Sequence, residues 1–338
     1  MKTFFKKGSV LICLLGSMAL TSCSSELDNN GGNNSDDTST YKPTLITPTG
    51  APTLPAYKAM ISENIDVISP AENTAIPAYL SSGNADFVIF DAGNAQKILN
   101  KAGSEAKFEF VKMLTGGNFH LLGFNKTSED VPSDDDVIYG FMETSTPGIL
   151  FRNIYGSDLK FDLGFDSIAS LQTSLLTMKD YKINGATIDW AVVAEPANTA
   201  LQAKLKANGN TNILDINLNS AFKEKNSQNW NKDYIVQAGL FVNKEFKQKY
   251  SAIYDSTIKL INDGIDTLFT DLDSAYNEMT SGEYQDATAF QKKFGFAPTV
   301  IKNVQGTNSE KNGFGVVPNN VTFTVDDINT FNSLTTEE

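Results

Sequence analysis

Cysteine and histidine are scarce in this chain of 338 residues. Cysteine occurs only at Cys13 and Cys23, so the remaining sequence has no thiol for a disulfide, a nucleophile or a cysteine-ligated metal. His120 is the single histidine, and no HExxH, G-x-S-x-G, P-loop or G-x-G-x-x-G motif occurs. We therefore predict a protein that is not an enzyme and holds no metal or cofactor. His120 is expected to lie in the core or to line a cleft.

Positive charge is also limited. The 27 lysine and arginine residues are outnumbered by 40 aspartate and glutamate residues, which gives a formal net charge of −13. A chain this acidic binds polyanions poorly, so we predict no nucleic-acid partner. Arg152 is the single arginine, in the second turn of a helix expected after Pro147. It would either clamp a sulfonate or carboxylate or lie exposed to solvent, and both possibilities stay open.

The N-terminal residues predict export rather than a folded element. A lysine-rich start precedes the mostly apolar run Ser9–Leu20, which is short for a transmembrane helix. Small residues then precede Cys23, as in a bacterial lipobox. We predict a signal peptide over residues 1–23 that ends at a lipidated Cys23, and a flexible polar tether over residues 24–41. The lipid would anchor the protein outside the cytoplasm, in the periplasm or on the cell surface. An ordinary secretory signal with an incidental cysteine is the alternative.

The sequence beyond the tether alternates short apolar strands with helical segments. This pattern is typical of α/β proteins with mostly parallel sheets and helices on both faces. The pattern becomes polar near residue 125 and then restarts. We predict two lobes joined by two crossings, with residues 42–124 and 236–338 in lobe 1 and residues 125–235 in lobe 2.

Three segments carry further expectations about this arrangement. The strand Phe119–Phe124 is expected to leave the first lobe, and the apolar run Tyr234–Val242 to return to it. Apolar residues recur at three- and four-residue steps from Glu245 to about Leu272, which predicts one long helix. Ala221–Asp233 is polar and poorly patterned.

A strand, a turn of small residues and a helix follow one another four times, at Thr47–Thr53, Phe90–Asn94, Glu143–Gly148 and Glu195-Pro196. Helix N-termini offer free N–H groups and a partial positive charge, and ligands of α/β sheets bind at the carboxyl ends of strands. We therefore predict a cleft between the lobes that binds a small ligand with an anionic or strongly polar end. The predicted ligand-binding residues are Thr49, Gly50, Ala51, Asp91, Ala92, Asn118, Ser145, Thr146 and Glu195.

Glu195 follows the apolar run Trp190–Ala194, which predicts a buried strand, and Pro196 suits the first turn of the next helix. If the Glu195 carboxylate faces the cleft, it favours a ligand that carries an amine or an aminopyrimidine. If it caps its own helix, an anionic ligand stays possible. The sequence leaves the charge of the ligand undecided.

Three of these segments resemble the substrate-binding proteins of bacterial ABC importers, in the group for nitrate, sulfonates, taurine and thiamine precursors. They are Pro48–Pro52, Gly83–Ile89 and Asp189–Pro196. The last is similar to a Gly-x-x-Asp-Ala-x-x-x-x-Glu-Pro pattern common in the group, although its spacing from Gly185 is one residue longer and Trp190 replaces a small residue. The resemblance implies a two-lobe, type II periplasmic-binding-protein fold with two hinge crossings.

The same resemblance implies a function. A lipid-anchored monomer would capture a sulfonate-like, nitrate-like or thiamine-precursor ligand by lobe closure and deliver it to an ABC permease in the membrane. Two other functions on this scaffold stay open. One is a surface receptor or adhesin, and the other is a thiamine-precursor enzyme, which would need an active-site histidine.

Overall fold

The strands form two five-stranded sheets and one short hairpin within the part of the chain that the structure describes. This computed structural model describes residues 40–70, 75–141, 143, 145–165, 168–306 and 312–336. The predicted signal peptide, Cys23 and the tether up to residue 39 lie outside the described residues. The strands are β1 (Thr44–Ile46), β2 (Asp66–Ile68), β3 (Phe87–Asp91), β4 (Phe108–Thr115), β5 (Phe119–Phe124), β6 (Ile138–Phe141), β7 (Leu163–Phe165), β8 (Lys182–Ile183), β9 (Ala186–Thr187), β10 (Trp190–Ala194), β11 (Ile213–Asn217) and β12 (Ala238–Asn243).

Helices alternate with these strands through most of the sequence. They are α1 (Tyr57–Met60), α2 (Ile76–Ser82), α3 (Ala92–Ala102), α4 (Thr146–Tyr155), α5 (Ile168–Leu176), α6 (Ala197–Ala207), α7 (Leu218–Lys225), α8 (Lys244–Lys249), α9 (Ser251–Thr270), α10 (Leu272–Met279), α11 (Ala287–Phe294), α12 (Ile301–Val304) and α13 (Val325–Thr335).

The first sheet has the strand order β2-β1-β3-β12-β4, and the second has the order β11-β5-β10-β6-β7. In each sheet one strand, β12 or β5, is antiparallel to both neighbours, and the other pairings are parallel. β5 and β12 are also the first strands that the chain forms after it passes from one sheet to the other. Ala238, the first residue of β12, lies opposite the last residues of β3 and β4. A strand that begins at the edge where the parallel strands end must run antiparallel to them. The predicted mostly parallel α/β fold is confirmed.

The strand Phe119–Phe124 lies in the second sheet, where it pairs with β10 and β11. We had expected it to leave the first lobe, so our boundary at residue 124 was one strand too late. The first crossing is the short segment Gly116–Asn118, between β4 and β5. An apolar run predicts a strand but does not reveal which sheet the strand joins. The division into lobes otherwise stays a prediction.

Tyr41, which we had placed in the tether, belongs to the folded body. Its ring stacks on Tyr250, with centroids 4.3 Å apart. Its hydroxyl donates to Asp86 Oδ2 at 2.9 Å, and the backbone N–H of Thr44 donates to the same oxygen at 2.8 Å. These contacts tie the start of the body to the amino edge of the first sheet.

The expected long helix is three helices, α8, α9 and α10. The backbone leaves the helical conformation at Tyr250, with φ −122° and ψ 49°, and again at Asp271. The Asp271 carboxylate accepts from the backbone N–H of Ser274 at 2.9 Å and so begins α10. The apolar period continues across both breaks because Phe246 of α8, Ile261 of α9 and Ala275 of α10 all belong to the buried cluster of the first sheet.

The buried apolar side chains form three clusters. One belongs to the first sheet with α1, α9 and α11, and another to the second sheet with α5 and α6. The third contains residues of both sheets, for example Val88 of β3 and Val192 of β10. The poorly patterned segment Ala221–Asp233 contributes Phe222 and Trp230 to this shared cluster, although its surroundings in the sequence are polar.

Gly116 allows the two crossings to pack closely. A Cβ atom at this position would lie 2.2 Å from the backbone carbonyl oxygen of Ile235. Ile235 belongs to the second crossing, the segment 226–237 that leads from α7 into β12. We predict that Gly116→Ala lowers the free energy of unfolding by about 1–3 kcal/mol, because the backbone must shift to admit the methyl group. Urea denaturation measures this. Gly164→Ala is the control, because a Cβ there meets nothing within 4 Å. Equal losses in the two variants would contradict the steric explanation.

Candidate ligand-binding site

Asp91 and Ala92 lie where β3 ends and α3 begins. The Asp91 carboxylate caps the helix, since its Oδ1 accepts from the backbone N–H of Asn94 at 2.7 Å. Aspartate suits this position because its short side chain satisfies an N–H that has no partner within the helix. Ala92 is buried, and its N–H donates to the carbonyl oxygen of Gln237 at 2.7 Å. The strand and the helix predicted around Phe90–Asn94 are therefore present, but the turn expected between them is not, because α3 begins at Ala92, directly after β3.

Ser145 and Thr146 begin α4 after β6 of the second sheet, and Pro147 occupies the first turn. The Thr146 hydroxyl donates to Asp91 Oδ2. This hydrogen bond joins two predicted site residues from different sheets. Burial raises the pKa of Asp91, and the hydrogen bonds from Thr146 and Asn94 offset part of that effect. The N-termini of α3 and α4 thus meet at one carboxylate.

The turn after β1 contains Thr49, Gly50 and Ala51. Gly50 has φ +102°, and its N–H donates to the carbonyl oxygen of Phe294 at 2.7 Å. The end of α11 therefore already occupies one backbone N–H that we expected to face a ligand. Ala51 is buried, whereas Thr49 is exposed. Of these three residues, Thr49 presents its side chain to solvent.

Glu195 caps its own helix. Its carboxylate accepts from the backbone N–H of Thr199 at 3.0 Å, from the Thr199 hydroxyl at 2.8 Å and from Asn198 Nδ2 at 3.1 Å. The side chain is buried, with the residue 6% exposed. Of the two orientations that we considered, the structure has the capping one, which is favourable because a carboxylate complements the positive end of a helix.

Asn118 lies in the first crossing and contacts both the second crossing and the end of β10. Its Oδ1 accepts from Gln237 Nε2 at 2.5 Å, and Gln237 Oε1 accepts from the N–H of Gly117 at 3.1 Å. Its backbone carbonyl accepts from the N–H of Glu195 at 2.8 Å, and its Nδ2 donates to the Glu195 carbonyl oxygen at 3.1 Å. Asn118 therefore connects the segments that join the two sheets with the end of β10.

Comparison with solved structures finds the same fold in other proteins. The ligand-binding component of an ABC-type import system from Staphylococcus aureus, solved with zinc bound, has a TM-score of 0.55 at 12% identity over 87% of this chain and 90% of that one. An ABC transporter from Parabacteroides distasonis has a TM-score of 0.53 at 14% identity, covering 82% and 86%. The periplasmic aliphatic sulphonate binding protein SsuA from Escherichia coli has a TM-score of 0.50 at 13% identity, covering 80% and 82%.

This chain has the periplasmic-binding-protein fold. No protein-family model matches the chain, and no curated protein sequence matches it. At identities of 12–14% the likeness establishes the fold. The fold implied by the sequence resemblance is thus confirmed.

The second-sheet half of this periplasmic-binding-protein fold contains a polar cluster that sequence reasoning missed. His120 Nδ1 lies 2.7 Å from Asp215 Oδ1, and Asp215 Oδ2 accepts from Asn198 Nδ2 at 3.2 Å and Gln202 Nε2 at 2.6 Å. Burial acts to raise the pKa of Asp215, but the hydrogen bonds from His120, Asn198 and Gln202 outweigh it and lower the pKa. The spacing of Asn198 and Gln202, four residues apart on a predicted helix, was the only available signal.

Arg152 secures the turn that precedes α4. Its Nη2 donates to the carbonyl oxygen of Glu143 at 3.3 Å. The same turn is tight, since a Cβ at Gly148 would lie 2.5 Å from that oxygen. Glu143 Oε1 accepts from the N–H of Phe161 at 3.0 Å. The contact of Arg152 with Glu143 fits neither of the two roles that we considered for Arg152, a clamp on a ligand or exposure to solvent.

Within the described ranges, no three His, Cys, Asp or Glu side chains are grouped so that they could hold a metal ion. None of the helices in those ranges combines the length and the apolar character that a membrane span requires.

Asp215 should contribute stability that depends on pH. Because its pKa is lowered in the folded state from the ordinary 3.8, the contribution is complete above about pH 4 and is lost as pH falls through the lowered value. We predict that Asp215→Asn lowers the free energy of unfolding at pH 7 by about 1 kcal/mol, since the side chain is partly exposed. The difference from wild type should shrink toward pH 3 in urea titrations. Asp158→Asn, at an exposed position, is the control. A loss that is the same at both pH values would contradict the assignment.

Proposed function

We propose that this protein is a lipid-anchored solute-binding protein of an ABC importer, which captures a small polar ligand between its lobes. The observation that carries the proposal is the hydrogen bond between Asp91 and Thr146, which joins the N-termini of α3 and α4. Two helix N-termini from different sheets meet at one polar position, as ligand capture by closure of two lobes requires. The shared fold of the S. aureus and P. distasonis proteins, which are described as parts of ABC systems, supports the same function.

The crossings support a hinge between the lobes. The first crossing is short, and its contact with the second crossing through Asn118 and Gln237 keeps the two segments together. Such a hinge would allow the lobes to separate and close while the crossings stay paired. A ligand that contacts both lobes would shift this equilibrium toward the closed state by its differential affinity.

The proposed ligand is a sulfonate-like or nitrate-like anion, or a thiamine precursor. The E. coli protein of the same fold is described as binding aliphatic sulphonates. In this chain the carboxylates of Asp91 and Glu195 occupy the N-termini of α3 and α6. Their negative charge adds weight to a cationic or donor-rich ligand such as an aminopyrimidine. A permease in the same membrane would receive the ligand.

A ligand panel tests this function directly. Thermal unfolding of the full chain is measured with alkanesulfonates, taurine, nitrate, aminopyrimidine thiamine precursors and amino acids, because a ligand that binds only the native state raises the melting temperature. We expect one class to stabilise the protein at micromolar to millimolar concentration and to be recovered chemically unchanged. Conversion of the ligand to a product would instead indicate an enzyme. If no class stabilises the protein, the function as a solute-binding protein of these ligands is contradicted.

Ser145 and Thr146 supply the hydroxyls on the second-sheet side of the site. We predict that the double variant Ser145→Ala/Thr146→Ala weakens binding of the stabilising ligand about tenfold or more, because hydrogen bonds at the site are lost. Calorimetry measures the affinity, and circular dichroism verifies folding. The control double variant is Ser81→Ala/Ser82→Ala, at exposed positions near the end of α2. Unchanged affinity in the site variant would contradict this location of the cleft.

Cys23 provides a test of the anchor. We predict that Cys23→Ser moves the protein from the membrane fraction to the soluble fraction and abolishes incorporation of radiolabelled palmitate in a bacterial host that processes lipoproteins. Cys13→Ser is the matched control, because this cysteine lies within the predicted signal and should leave lipidation intact. Membrane association that persists in Cys23→Ser would favour the ordinary secretory signal or another anchor.

A further inference from the structure

The C-terminal helix α13 is hydrogen bonded to α3 beside the candidate site. Asn332 Nδ2 donates to the carbonyl oxygen of Gly93 at 3.1 Å, and Asn100 Nδ2 donates to Asn329 Oδ1 at 3.1 Å. The two helices approach closely, since a Cβ at Gly93 would lie 2.7 Å from Asn332 Oδ1. Gly93 immediately follows Asp91 and Ala92, so α13 lies against the first turn of the site helix.

The same helix also packs on elements of the second sheet. Phe331 is 4% exposed, and its ring lies 5.2 Å from Phe222 of α7 and 5.6 Å from Trp230, centroid to centroid. Asn153 Nδ2 of α4 donates to the carbonyl oxygen of Leu334 at 2.7 Å. Aromatic packing and a hydrogen bond therefore tie α13 to the second lobe, while amide contacts tie it to the first.

These contacts constrain how the lobes can separate. The helices α3 and α4 meet through the Asp91–Thr146 hydrogen bond, and α13 contacts both. Any motion that separates α3 from α4 must therefore break the contacts of α13 with one of them. The contacts of α13 with α4, α7 and the segment 226–237 comprise one hydrogen bond, two aromatic pairs and the ion pair of Asp327 with Lys232, 3.1 Å apart. With α3 it shares two hydrogen bonds, and it belongs to the predicted first lobe.

We infer that α13 is a latch that stabilises the closed arrangement of the lobes before any ligand binds. The latch consists of the contacts of Asn153 with Leu334 and of Phe331 with Phe222 and Trp230. This inference rests on the proposed lobe closure. The apparent dissociation constant of a ligand scales inversely with the populated fraction of the binding-competent state. The latch thus raises affinity for the ligand without touching it.

Spin labels in the two lobes measure the closed fraction directly. The full chain carries Cys13→Ser and Cys23→Ser, which remove both native cysteines, together with Glu63→Cys and Ala207→Cys at exposed positions. Pulsed EPR then gives the distribution of distances between the labels without ligand. The test variants are Asn153→Ala, which removes the donor to Leu334, and Phe331→Leu, which keeps an apolar side chain. Ser333→Ala is the control, because this hydroxyl donates to Thr330 within α13 itself.

We expect both test variants to lower the ratio of short to long distances about threefold to tenfold, the range for loss of one hydrogen bond or aromatic contact. The control should match the parent protein. If Asn153→Ala folds and retains the distance distribution of the parent protein, the latch is overturned. If Phe331→Leu fails to fold, the result for Asn153→Ala alone decides whether the latch exists. The measurement needs no ligand, so its outcome is separate from that of the ligand panel. If the protein binds no ligand of the panel but Asn153→Ala shifts the distances toward the open state, the latch is supported and the proposed solute-binding function is contradicted.

Discussion

The hydrogen bond that Gln237 donates to Asn118, together with the one that Gln237 accepts from the N–H of Gly117, positions the rest of the candidate site. These two buried side-chain amides bring together the crossings that connect the sheets, and an unpaired amide at such a position would cost about 1–3 kcal/mol. The backbone of Asn118 pairs with that of Glu195 at the end of β10, while the carbonyl of Gln237 accepts from Ala92 at the start of α3. Asn118 and Gln237 therefore fix the positions of the carboxyl ends of both β3 and β10.

The helix N-termini around this connector are already complemented by carboxylates of the chain. Asp91 accepts from the first turn of α3 and Glu195 from that of α6. A carboxylate near a helix N-terminus is favourable, typically by about 0.3–1 kcal/mol. Asp91 has a further role, because the hydroxyl of Thr146 reaches it from α4. One acidic side chain thus caps a helix that follows the first sheet and accepts a hydrogen bond from a helix that follows a strand of the second.

Sequence reasoning was most accurate where the signal is local. The apolar run Trp190–Ala194 is a buried strand, and the start of α4 at Thr146-Pro147 follows from the residues themselves. It was wrong where the structure of a segment depends on residues that are far away in the sequence. Phe119–Phe124 is a strand as predicted, but its sheet depends on distant partners. The helix predicted from Glu245 to about Leu272 is broken at Tyr250, where the backbone leaves the helical conformation while the apolar period continues on both sides. The terminal helix, predicted together with a short strand over Val321–Phe331, is present as α13, whereas residues 321–324 form no strand.

The sequence alone determined the strand-turn-helix units, because alternation of apolar and polar residues, capping side chains and proline positions act within a few residues. It also placed Thr146 and Glu195 at the starts of helices. Only the tertiary structure decided which of these units meet. The decisive contacts join residues that are far apart in sequence. No local preference selects the partner of such a residue, because strand order and packing determine it. These contacts are Asp91 with Thr146, 55 residues apart, His120 with Asp215, 95 residues apart, and Asn118 with Gln237, 119 residues apart.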